Sequence, residues 1–462
     1  MSTQRSEVTL RKLFVNSLPA ESQRDCRFVW LSNFEAERFW VKPNTVQLPK
    51  FSQPDDVAIV NRLEEMNLFL AEGADAVILR AESDKGFLDY LSSLGYRLPK
   101  IIAVNPEDKQ ASISQALLAN EQLCNQIANT AGSEGFFFLP FATTRLEEQI
   151  IEKTRLRNIG STASVSEKIN SKIYSRTISK ELGLRTIKGW ECDSLESIEK
   201  GFESASAELA AGQKFVLKES MGVSGKGLFI ADSENKARQI VTLLKRKAKA
   251  GAEFAFVIES WVDKLKDINY QLFISASGDV ELLTIKEILT EDGVHMGHKF
   301  PAALSNEQID CYYEAAQLIG KRLFEDGYRG IAGVDSIIDR GGNVYPLLEI
   351  NGRFNMSTYQ LGLDRLIDPA AKVVAKHYPL LLKSALPFER LTDRIGADLL
   401  RASGSGSGVL IQNFATVNVN SNPSGEPFKG RLYTLLIGRD VEEIAQLDQR
   451  MAGRLQELQS AS

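Results

Sequence analysis

The sequence predicts an α/β domain in its amino-terminal part followed by α+β structure, and three observations support this prediction. Between residues 27 and 141, short apolar runs alternate with helical patterns, which favours a parallel sheet covered by helices. Beyond residue 164, most strand patterns are joined by short turns, which favours antiparallel or mixed sheets. The segment SGSGSG at 403–408 has the composition of a flexible loop, and a small α+β unit follows it.

The amino-terminal region has the pattern of a small Rossmann-like domain without its glycine fingerprint. Four apolar runs are typical of buried strands: RFVWLSN at 27–33, ADAVILRA at 74–81, PKIIAVN at 99–105 and FFFLPF at 136–141. Segments 54–73 and 112–132 have the spacing of helices. Alternation of this kind predicts parallel strands with helical crossovers.

The second half of the chain mixes helices with hairpins. Helices are predicted, from their capping residues and periodicity, at 164–183 with a stop at Gly183, 233–251, 307–327 and 440–459. Strand patterns lie at 214–220, 255–262, 408–420 and 431–439, and in two hairpins that turn at Gly278-Asp279 and at Gly341-Gly342. The closing helix is amphipathic, so we expect it to cover a small terminal sheet.

Composition excludes several classes of protein. The 462 residues are 43% hydrophobic and 25% charged, which is ordinary for a soluble globular chain of two to four domains. The four cysteines include no CxxC pair, which argues against a zinc site and against a disulfide framework. The chain has only three histidines, which disfavours a Ser-His-Asp catalytic triad. The net charge of −5 disfavours a nucleic-acid partner. Without a long apolar stretch or an evident signal peptide, we expect a cytoplasmic protein and no membrane contact.

The polar residues of the last predicted hairpin give the clearest chemical signal. Asp335 lies on one strand, and alternation along LLEINGRF places Glu349, Asn351 and, if the strand continues that far, Arg353 on one face of its partner. Two carboxylates and an amide oxygen suit Mg²⁺ that bridges nucleotide phosphates, and the arginine suits a planar carboxylate or an anionic intermediate. The alternative is a solvated acidic edge, but this set directly follows the apolar run VYPLL and so lies at the mouth of a core.

The turn at 219–227 gives a second, weaker signal. Its small residues Gly222, Ser224, Gly225 and Gly227 allow the backbone to approach phosphate oxygens closely, and Lys218 and Lys226 supply positive charge. The turn matches neither the Walker A pattern nor GxGxxG. Taken alone, a simple hairpin turn explains it equally well.

Together, the polar hairpin residues at 335–353 and the glycine-rich turn at 219–227 resemble motifs of the ATP-grasp superfamily of carboxylate ligases. The resemblance extends over about residues 165–365. The resemblance implies a Rossmann-like pre-ATP-grasp domain at 1–160, an ATP-grasp domain at 161–390 with lobes near 161–255 and 256–390, and a small α+β domain at 391–462. It also implies ATP and Mg²⁺ as cofactors, with Mn²⁺ as an alternative ion and two ions compatible with the ligand set.

The resemblance assigns roles to residues by their positions in its motifs. Asp335, Glu349 and Asn351 match the metal ligands, and Arg353 matches the catalytic arginine of the E-x-N-x-R form. The residues expected to bind ATP are Lys172, Lys218, Gly222, Ser224, Gly225, Gly227, Glu259, Ser260, Trp261, Val262, Asp267 and Lys286. Asp267 stands where the family more often has a glutamate at shorter spacing, and Asn269 is the substitute for it. For Lys286, the alternative is a solvated strand lysine.

Three further segments, 33–40, 349–362 and 430–438, resemble ATP-grasp ligases of natural-product pathways, the group of the pheganomycin-type peptide ligase and of the butirosin-pathway ligase that loads glutamate on an acyl carrier protein. The resemblance implies amide or peptide bond formation between a small-molecule carboxylate and an amine, on an amino acid or peptide, through an acyl phosphate. The alternatives are transfer to the thiol of an acyl carrier protein, a small-molecule kinase, and a non-catalytic nucleotide-binding module.

Substrate specificity and assembly are less defined by the sequence. Glu35, Glu37 and Arg80 are candidates for substrate recognition, with surface ion pairs as the alternative. The segment HMGHK, with His295 and His298, is a candidate border of the acyl pocket, without a covalent role. A homodimer is expected only because dimers are the commonest oligomers.

Overall fold

The computed structural model describes residues 9–49, 54–108, 110–131, 135–222, 227–249, 251–291, 294–363, 366–368, 370–401 and 406–460. The strands in these ranges are β1 (Arg27–Leu31), β2 (Ala76–Leu79), β3 (Lys100–Ala103), β4 (Phe136–Pro140), β5 (Arg157–Asn158), β6 (Gly189–Cys192), β7 (Phe215–Glu219), β8 (Leu228–Ala231), β9 (Phe256–Ser260), β10 (Lys264–Ile274), β11 (Val280–Glu291), β12 (Val294–Phe300), β13 (Gly330–Asp339), β14 (Val344–Asn351), β15 (Lys372–Leu382), β16 (Gly408–Asn413) and β17 (Phe428–Gly438). The α-helices are α1 (Leu10–Asn16), α2 (Ala20–Gln23), α3 (Pro54–Asn61), α4 (Lys85–Ser93), α5 (Ile113–Ala119), α6 (Glu121–Ala131), α7 (Arg145–Thr154), α8 (Ala163–Ile169), α9 (Lys172–Glu181), α10 (Leu195–Ser204), α11 (Ser206–Ala210), α12 (Glu234–Lys247), α13 (Asn306–Glu325), α14 (Phe388–Ile395) and α15 (Val441–Ser460). Short 3₁₀ segments lie at Ala36–Phe39, Leu63–Phe69, Thr358–Leu363 and Gly396–Asp398.

The amino-terminal sheet is parallel, as the alternating pattern predicts. Its strands lie in the order β3-β2-β1-β4-β5, and every neighbouring pair is parallel. The helix predicted at 112–132 is two helices, because Asn120 leaves the helical backbone conformation and its side chain accepts a hydrogen bond from the Leu123 N–H at 3.0 Å. The segment at 54–73 is also divided, into α3 and the 3₁₀ segment Leu63–Phe69.

The rest of the chain forms two further sheets, and the predicted α/β plus α+β fold class is confirmed. A small antiparallel sheet has the order β6-β9-β7-β8. A larger sheet has the order β14-β13-β10-β11-β12-β15-β17-β16 and contains both predicted hairpins. In it, β15 pairs along its length with β17, so the sheet is continuous across residue 390. The domain boundaries stay predictions.

The helix predicted at 164–183 is two helices, and the break determines where Lys172 lies. Ser171 is the N-cap of α9, and its hydroxyl accepts a hydrogen bond from the Tyr174 N–H at 3.3 Å. Lys172 is therefore the first residue of α9, where the helix dipole disfavours a positive charge. Helix stability does not account for a lysine at this position.

The terminal helix α15 has the predicted amphipathic character. Its buried residues Ile444, Leu447, Met451 and Leu455 lie in one cluster with the buried residues of β15 and β17. Across the described ranges, no helix combines the length and the apolar character needed to cross a membrane.

A charged cluster fixes α8 and α9 to the end of α13. Asp326, directly after α13, accepts hydrogen bonds from Lys168 Nζ at 2.6 Å, Tyr174 Oη at 2.7 Å and Arg322 Nε at 2.8 Å. Burial alone would raise the pKa of Asp326, but these three donors outweigh it and lower the pKa to about 2. The cluster therefore stabilises the helix pair whose second member begins at Lys172.

We expect the Asp326→Asn variant to lose about 1–3 kcal/mol of unfolding free energy at pH 7, because two cations lose their counter-charge. The pKa of Asp326 is lower in the folded chain than its ordinary 3.8, so this stabilisation is present above that value and is lost as the pH falls through about 2. Urea unfolding at pH 7 and at several acidic pH values measures the difference from wild type. Asp310→Asn, an exposed position of the same helix α13, is the control. Equal stability of the Asp326→Asn variant and wild type at pH 7 would contradict this role.

Candidate active site

A row of polar residues crosses four neighbouring strands of the large sheet. The register places Lys286 of β11 opposite Asn269 of β10, Asn269 opposite Asp335 of β13, and Asp335 opposite Glu349 of β14. Residues opposite one another in a sheet point to the same face. Asn351, two residues after Glu349, lies on this face as well. The structure thus brings together the residues that the sequence predicts as metal ligands.

The two carboxylates of this row lie opposite each other in a partly buried setting. Asp335 accepts hydrogen bonds from Asn269 Nδ2 at 2.7 Å and from Asn351 Nδ2 at 3.1 Å. Burial and the neighbouring charge of Glu349 raise the pKa of Asp335 to about 6, although both amides lower it. A divalent cation between the two carboxylates would relieve their repulsion, and the oxygen donors match the preference of Mg²⁺.

These residues therefore fit a magnesium ion, and the donor set is small. Within the described ranges, no three histidine, cysteine, aspartate or glutamate side chains converge as a metal site. The predicted centre consists instead of the carboxylates of Asp335 and Glu349 and the amide of Asn351. Such a set is typical of ions that keep several of their ligands from water and substrate phosphates.

Lys172 reaches this centre from the first turn of α9. Its Nζ lies 2.9 Å from Glu349 Oε1 and donates to the Gly222 carbonyl oxygen at 3.2 Å. Burial lowers the pKa of Lys172, but Glu349, Glu37 and Asp335 together outweigh it, so the pKa is raised and the side chain is a cation at neutral pH. The hydroxyl of Ser175 accepts a hydrogen bond from the Ile350 N–H at 2.9 Å, which fixes α9 to β14.

A second basic group lies on the small sheet around Glu259. Lys218 Nζ donates to Glu259 Oε2 at 2.7 Å, and Arg176 Nη1 donates to Glu259 Oε1 at 3.0 Å. Burial raises the pKa of Glu259, but the two cations outweigh it and lower the pKa overall. Sequence reasoning missed Arg176. Its signal is the four-residue spacing from Lys172, which places both side chains on one face of α9.

The predicted adenine hinge follows β9. The Ser260 N–H donates to the Lys188 carbonyl oxygen at 2.9 Å, and the Trp261 N–H donates to that of Lys214 at 2.7 Å. Trp261 is 47% exposed, which is unusual for a tryptophan and leaves an indole surface open beside the hinge. Val262 directly follows it, between β9 and β10.

The two candidates for the ribose position lie two residues apart on β10 and have different partners. Asp267 forms an ion pair with Lys264, with Nζ–Oδ1 at 2.7 Å. Asn269 contacts Asp335 instead, so it lies beside the carboxylate pair. The structure therefore separates the two side chains that the sequence left as alternatives.

Lys286 is buried, which contradicts the alternative of a solvated strand lysine. The residue is 3% exposed, and its Nζ donates to the Ser357 carbonyl oxygen at 2.9 Å and to Gln360 Oε1 at 2.6 Å. It lies in the row of Asp335 and Glu349, with its ammonium group bonded to the segment after β14.

The glycine-rich turn is described only at its two ends. Ser224, Gly225 and Lys226 lie outside the described residues. Gly222 accepts the hydrogen bond from Lys172, so the start of the turn contacts the predicted metal centre. Gly227 has a φ of +80°, and a β-carbon there would lie 2.7 Å from Glu219 Oε2. A side chain is excluded at Gly227 on both grounds.

Arg353 connects the hairpin to the amino-terminal domain. Its Nη2 donates to Asn351 Oδ1 at 2.9 Å and to the carboxylate of Glu37, and its guanidinium carbon lies 5.2 Å from the centroid of Phe141. Of the three specificity candidates, only Glu37 contacts this centre among the described residues. Glu35 and Arg80 lie 3.7 Å apart as a buried pair of their own.

Of the two histidines predicted to border the acyl pocket, the side chain of His295 lies outside the described part of the chain, and the role of His298 stays a prediction. His298 is 7% exposed and lies opposite Ile288 of β11. The cysteines Cys26, Cys124, Cys192 and Cys311 are free thiols.

Comparison with known proteins identifies two domain families in this chain. A family model described as a pre-ATP-grasp domain matches residues 63–156, and one described as an ATP-grasp domain matches residues 177–353. The butirosin acyl-carrier protein–L-glutamate ligase of Niallia circulans is 29% identical over 321 residues, which are 68% of this chain and 70% of that protein. Lys172 lies just before the second matched segment, so its assignment depends on the geometry.

Solved structures agree on the fold. N5-carboxyaminoimidazole ribonucleotide synthetase in complex with ADP superposes with a TM-score of 0.54 at 13% identity, over 94% of this chain and 97% of that one. The biotin carboxylase domain of Hydrogenobacter thermophilus 2-oxoglutarate carboxylase, with MgADP, ADP and bicarbonate, gives a TM-score of 0.52 at 14% identity, over 89% and 85% of the two chains. The chain carries a pre-ATP-grasp domain followed by an ATP-grasp domain, and it belongs to the ATP-grasp superfamily of ligases.

Proposed function

We propose that this chain is an ATP-dependent carboxylate–amine ligase that forms an amide or peptide bond through an acyl phosphate. The observation that carries the proposal is the convergence of Lys172, Asp335, Glu349, Asn351 and Arg353 at the end of one hairpin. This reaction requires cations that bind phosphates, oxygen ligands that hold a metal ion, and an arginine that binds an acyl group. An amino acid or peptide is the proposed source of the carboxylate.

In the first step, a carboxylate oxygen of the substrate attacks the γ-phosphorus of ATP, and the bond from that phosphorus to the β–γ bridging oxygen breaks. ADP leaves, and the substrate carries the phosphoryl group as an acyl phosphate. Lys172 and Lys218 balance the charge on the transferring group. Magnesium, held by Asp335, Glu349 and Asn351, would supply further charge neutralisation.

In the second step, the amine nitrogen attacks the acyl carbon, the bond to the phosphate oxygen breaks, and inorganic phosphate and a proton leave. Arg353 stabilises the oxyanion of the tetrahedral intermediate. No protein nucleophile is needed, so the histidines and Ser224 have no covalent role. Acyl phosphates hydrolyse in water, so we propose that the turn at 219–227 excludes water before the first step.

A second acceptor is supported by the relative from Niallia circulans, whose name gives an acyl carrier protein as its substrate. In that alternative, the thiol of a carrier protein takes the place of the amine and a thioester forms. The first step, and the residues that carry it, are the same in both cases. The two alternatives therefore differ only in what attacks the acyl phosphate.

The test is incubation of the purified chain with ATP, Mg²⁺ and pools of amino acids and other carboxylates, with and without amines or a phosphopantetheinylated carrier protein. Amine-dependent release of ADP and phosphate supports the main proposal, and carrier-dependent release supports the second acceptor. A phosphorylated product that accumulates and is stable to amines would indicate a kinase instead. Formation of AMP and pyrophosphate would contradict the acyl-phosphate mechanism.

A further inference from the structure

The contact between Glu37 and Arg353 joins the amino-terminal domain to the predicted acyl site. Glu37 lies in the 3₁₀ segment Ala36–Phe39, and its Oε1 accepts a hydrogen bond from Arg353 Nη2. The two side chains are 12% and 10% exposed. Glu37 also contributes to the raised pKa of Lys172, so its charge acts at the predicted phosphate site as well. Glu37 is therefore a third carboxylate at this centre, outside the predicted metal ligands.

Each member of this pair has one buried polar atom without a hydrogen-bond partner among the described residues. In that part of the chain, Glu37 Oε2 has no donor and Arg353 Nε has no acceptor. Buried polar atoms are almost always paired, because an unpaired one costs about 1–3 kcal/mol. A carboxylate oxygen without a donor and a guanidinium N–H without an acceptor together match a ligand that carries both a donor and an acceptor.

We infer that Glu37 binds the ammonium group of an α-amino acid whose carboxylate is bound by Arg353, and this inference rests on the proposed function. The carboxylate would accept from Arg353 Nε, and the ammonium would donate to Glu37 Oε2. Because Glu37 and Arg353 are in direct contact, the two groups of the substrate must also lie close together. An amine on the carbon next to the carboxylate satisfies this requirement.

Charge supports a zwitterion over a simple acid. Glu37 offsets the positive charge of Arg353, so the pair has no net charge and attracts an isolated carboxylate only weakly. A substrate without the ammonium group would bring its carboxylate next to that of Glu37, and like charges at this distance repel. Glu37 therefore selects for the α-amino acid and against its des-amino counterpart.

The experiment compares substrate pairs that differ only in the α-ammonium group. L-Alanine with propanoate, L-phenylalanine with 3-phenylpropanoate, L-valine with 3-methylbutanoate, and L-glutamate with pentanedioate are tested for ADP release. Binding of each compound is also measured by calorimetry with Mg²⁺ and an ATP analogue that cannot be cleaved between the β- and γ-phosphates. The variants are Glu37→Gln and the conservative Glu37→Asp, and melting curves verify that each is folded.

For wild type, we expect at least one amino acid to be preferred over its des-amino partner by about 100-fold in kcat/KM, mainly through KM. Glu37→Gln should reduce this preference to below about 10-fold, because the amino acid loses the partner of its ammonium group while the des-amino acid no longer meets a like charge, and Glu37→Asp should restore part of the preference. A residue that only orients Arg353 would instead weaken both members of each pair equally. Asp56 is another carboxylate of the amino-terminal domain that pairs with an arginine from a later part of the chain, Arg431, at 3.4 Å. Asp56→Asn is therefore the matched control and should keep the full preference.

The outcomes separate this inference from the proposed function. ADP release by wild type with no preference for the amino acid would overturn the role of Glu37 and leave the ligase proposal intact. An equal loss for both members of a pair in Glu37→Gln would overturn it as well. If no carboxylate causes ADP release, the proposed function fails, and calorimetry then decides the inference alone. Amino acid binding that Glu37→Gln does not weaken would overturn it.

Discussion

The Glu349→Gln variant should lose about 100- to 1,000-fold in the rate of ATP-dependent ligation, with little change in fold. Glu349 lies opposite Asp335 in the hairpin and 2.9 Å from Lys172 Nζ, so the change removes a predicted metal ligand and the counter-charge of a lysine. The neutral amide binds a divalent ion weakly. ADP release, titrated with Mg²⁺, is the measurement, and the Mg²⁺ concentration for half-maximal rate should rise.

The control for this prediction is Glu208→Gln. Glu208 forms an ion pair with Lys188 in the other predicted lobe of the ATP-grasp domain, but the lysine is half-exposed, so the pair contributes little to stability. This variant should keep wild-type rates and the wild-type response to Mg²⁺. Full activity of Glu349→Gln would remove the metal assignment and, with it, the predicted role of the hairpin.

The Lys172→Met variant should also lose about 100-fold or more in kcat, because the charge on the transferring phosphoryl group would lack one of its two proposed lysine cations. Lys172 occupies a position that helix energetics disfavours, at the first residue of α9, which supports a role in function over one in stability. ADP release under saturating ATP and substrate measures the effect. Lys180→Met is the control, since Lys180 lies on the same helix and pairs with Glu191 at 2.7 Å on the surface.

The two changes should not be additive. In Lys172→Met, the carboxylate of Glu349 loses the partner at 2.9 Å, and in Glu349→Gln the lysine loses its counter-charge. The double variant therefore should lose less than the product of the two single losses. A double variant whose loss equals that product would show that the two residues act independently. The contact between them would then have no part in catalysis.

The sequence predicts much of this site because its central part is local. Asp335, Glu349 and Asn351 lie on one hairpin, and strand periodicity with a two-glycine turn suffices to place their side chains on one face. Arg353 follows two residues after the end of β14. The apolar run VYPLL directly precedes Glu349, and this local pattern also indicates that the polar residues border a core. Sequence patterns that extend over only a few residues also predict the parallel and antiparallel sheets, and both kinds of sheet are confirmed.

The parts that sequence reasoning missed depend on contacts between distant segments. Arg176 acts on Glu259, which is 83 residues away, and Asn269 meets Asp335 only through the pairing of β10 with β13. The break before Lys172 depends on the capping hydroxyl of Ser171, which a continuous helical pattern conceals. No local rule of periodicity gives the register between strands that are far apart in the chain.

By itself, the sequence determined the fold class, the order of the elements and the polar hairpin, because periodicity and turn chemistry act over a few residues. Only the tertiary structure decided which residues meet: Lys172 with Glu349, Asn269 with Asp335, and Glu37 with Arg353 across 316 residues. The physical reason is that burial and electrostatic partners are set by packing. In the sequence, Glu37 is one of three charged candidates for substrate recognition, and only folding places it, and not Glu35, against the arginine of the ATP-grasp domain.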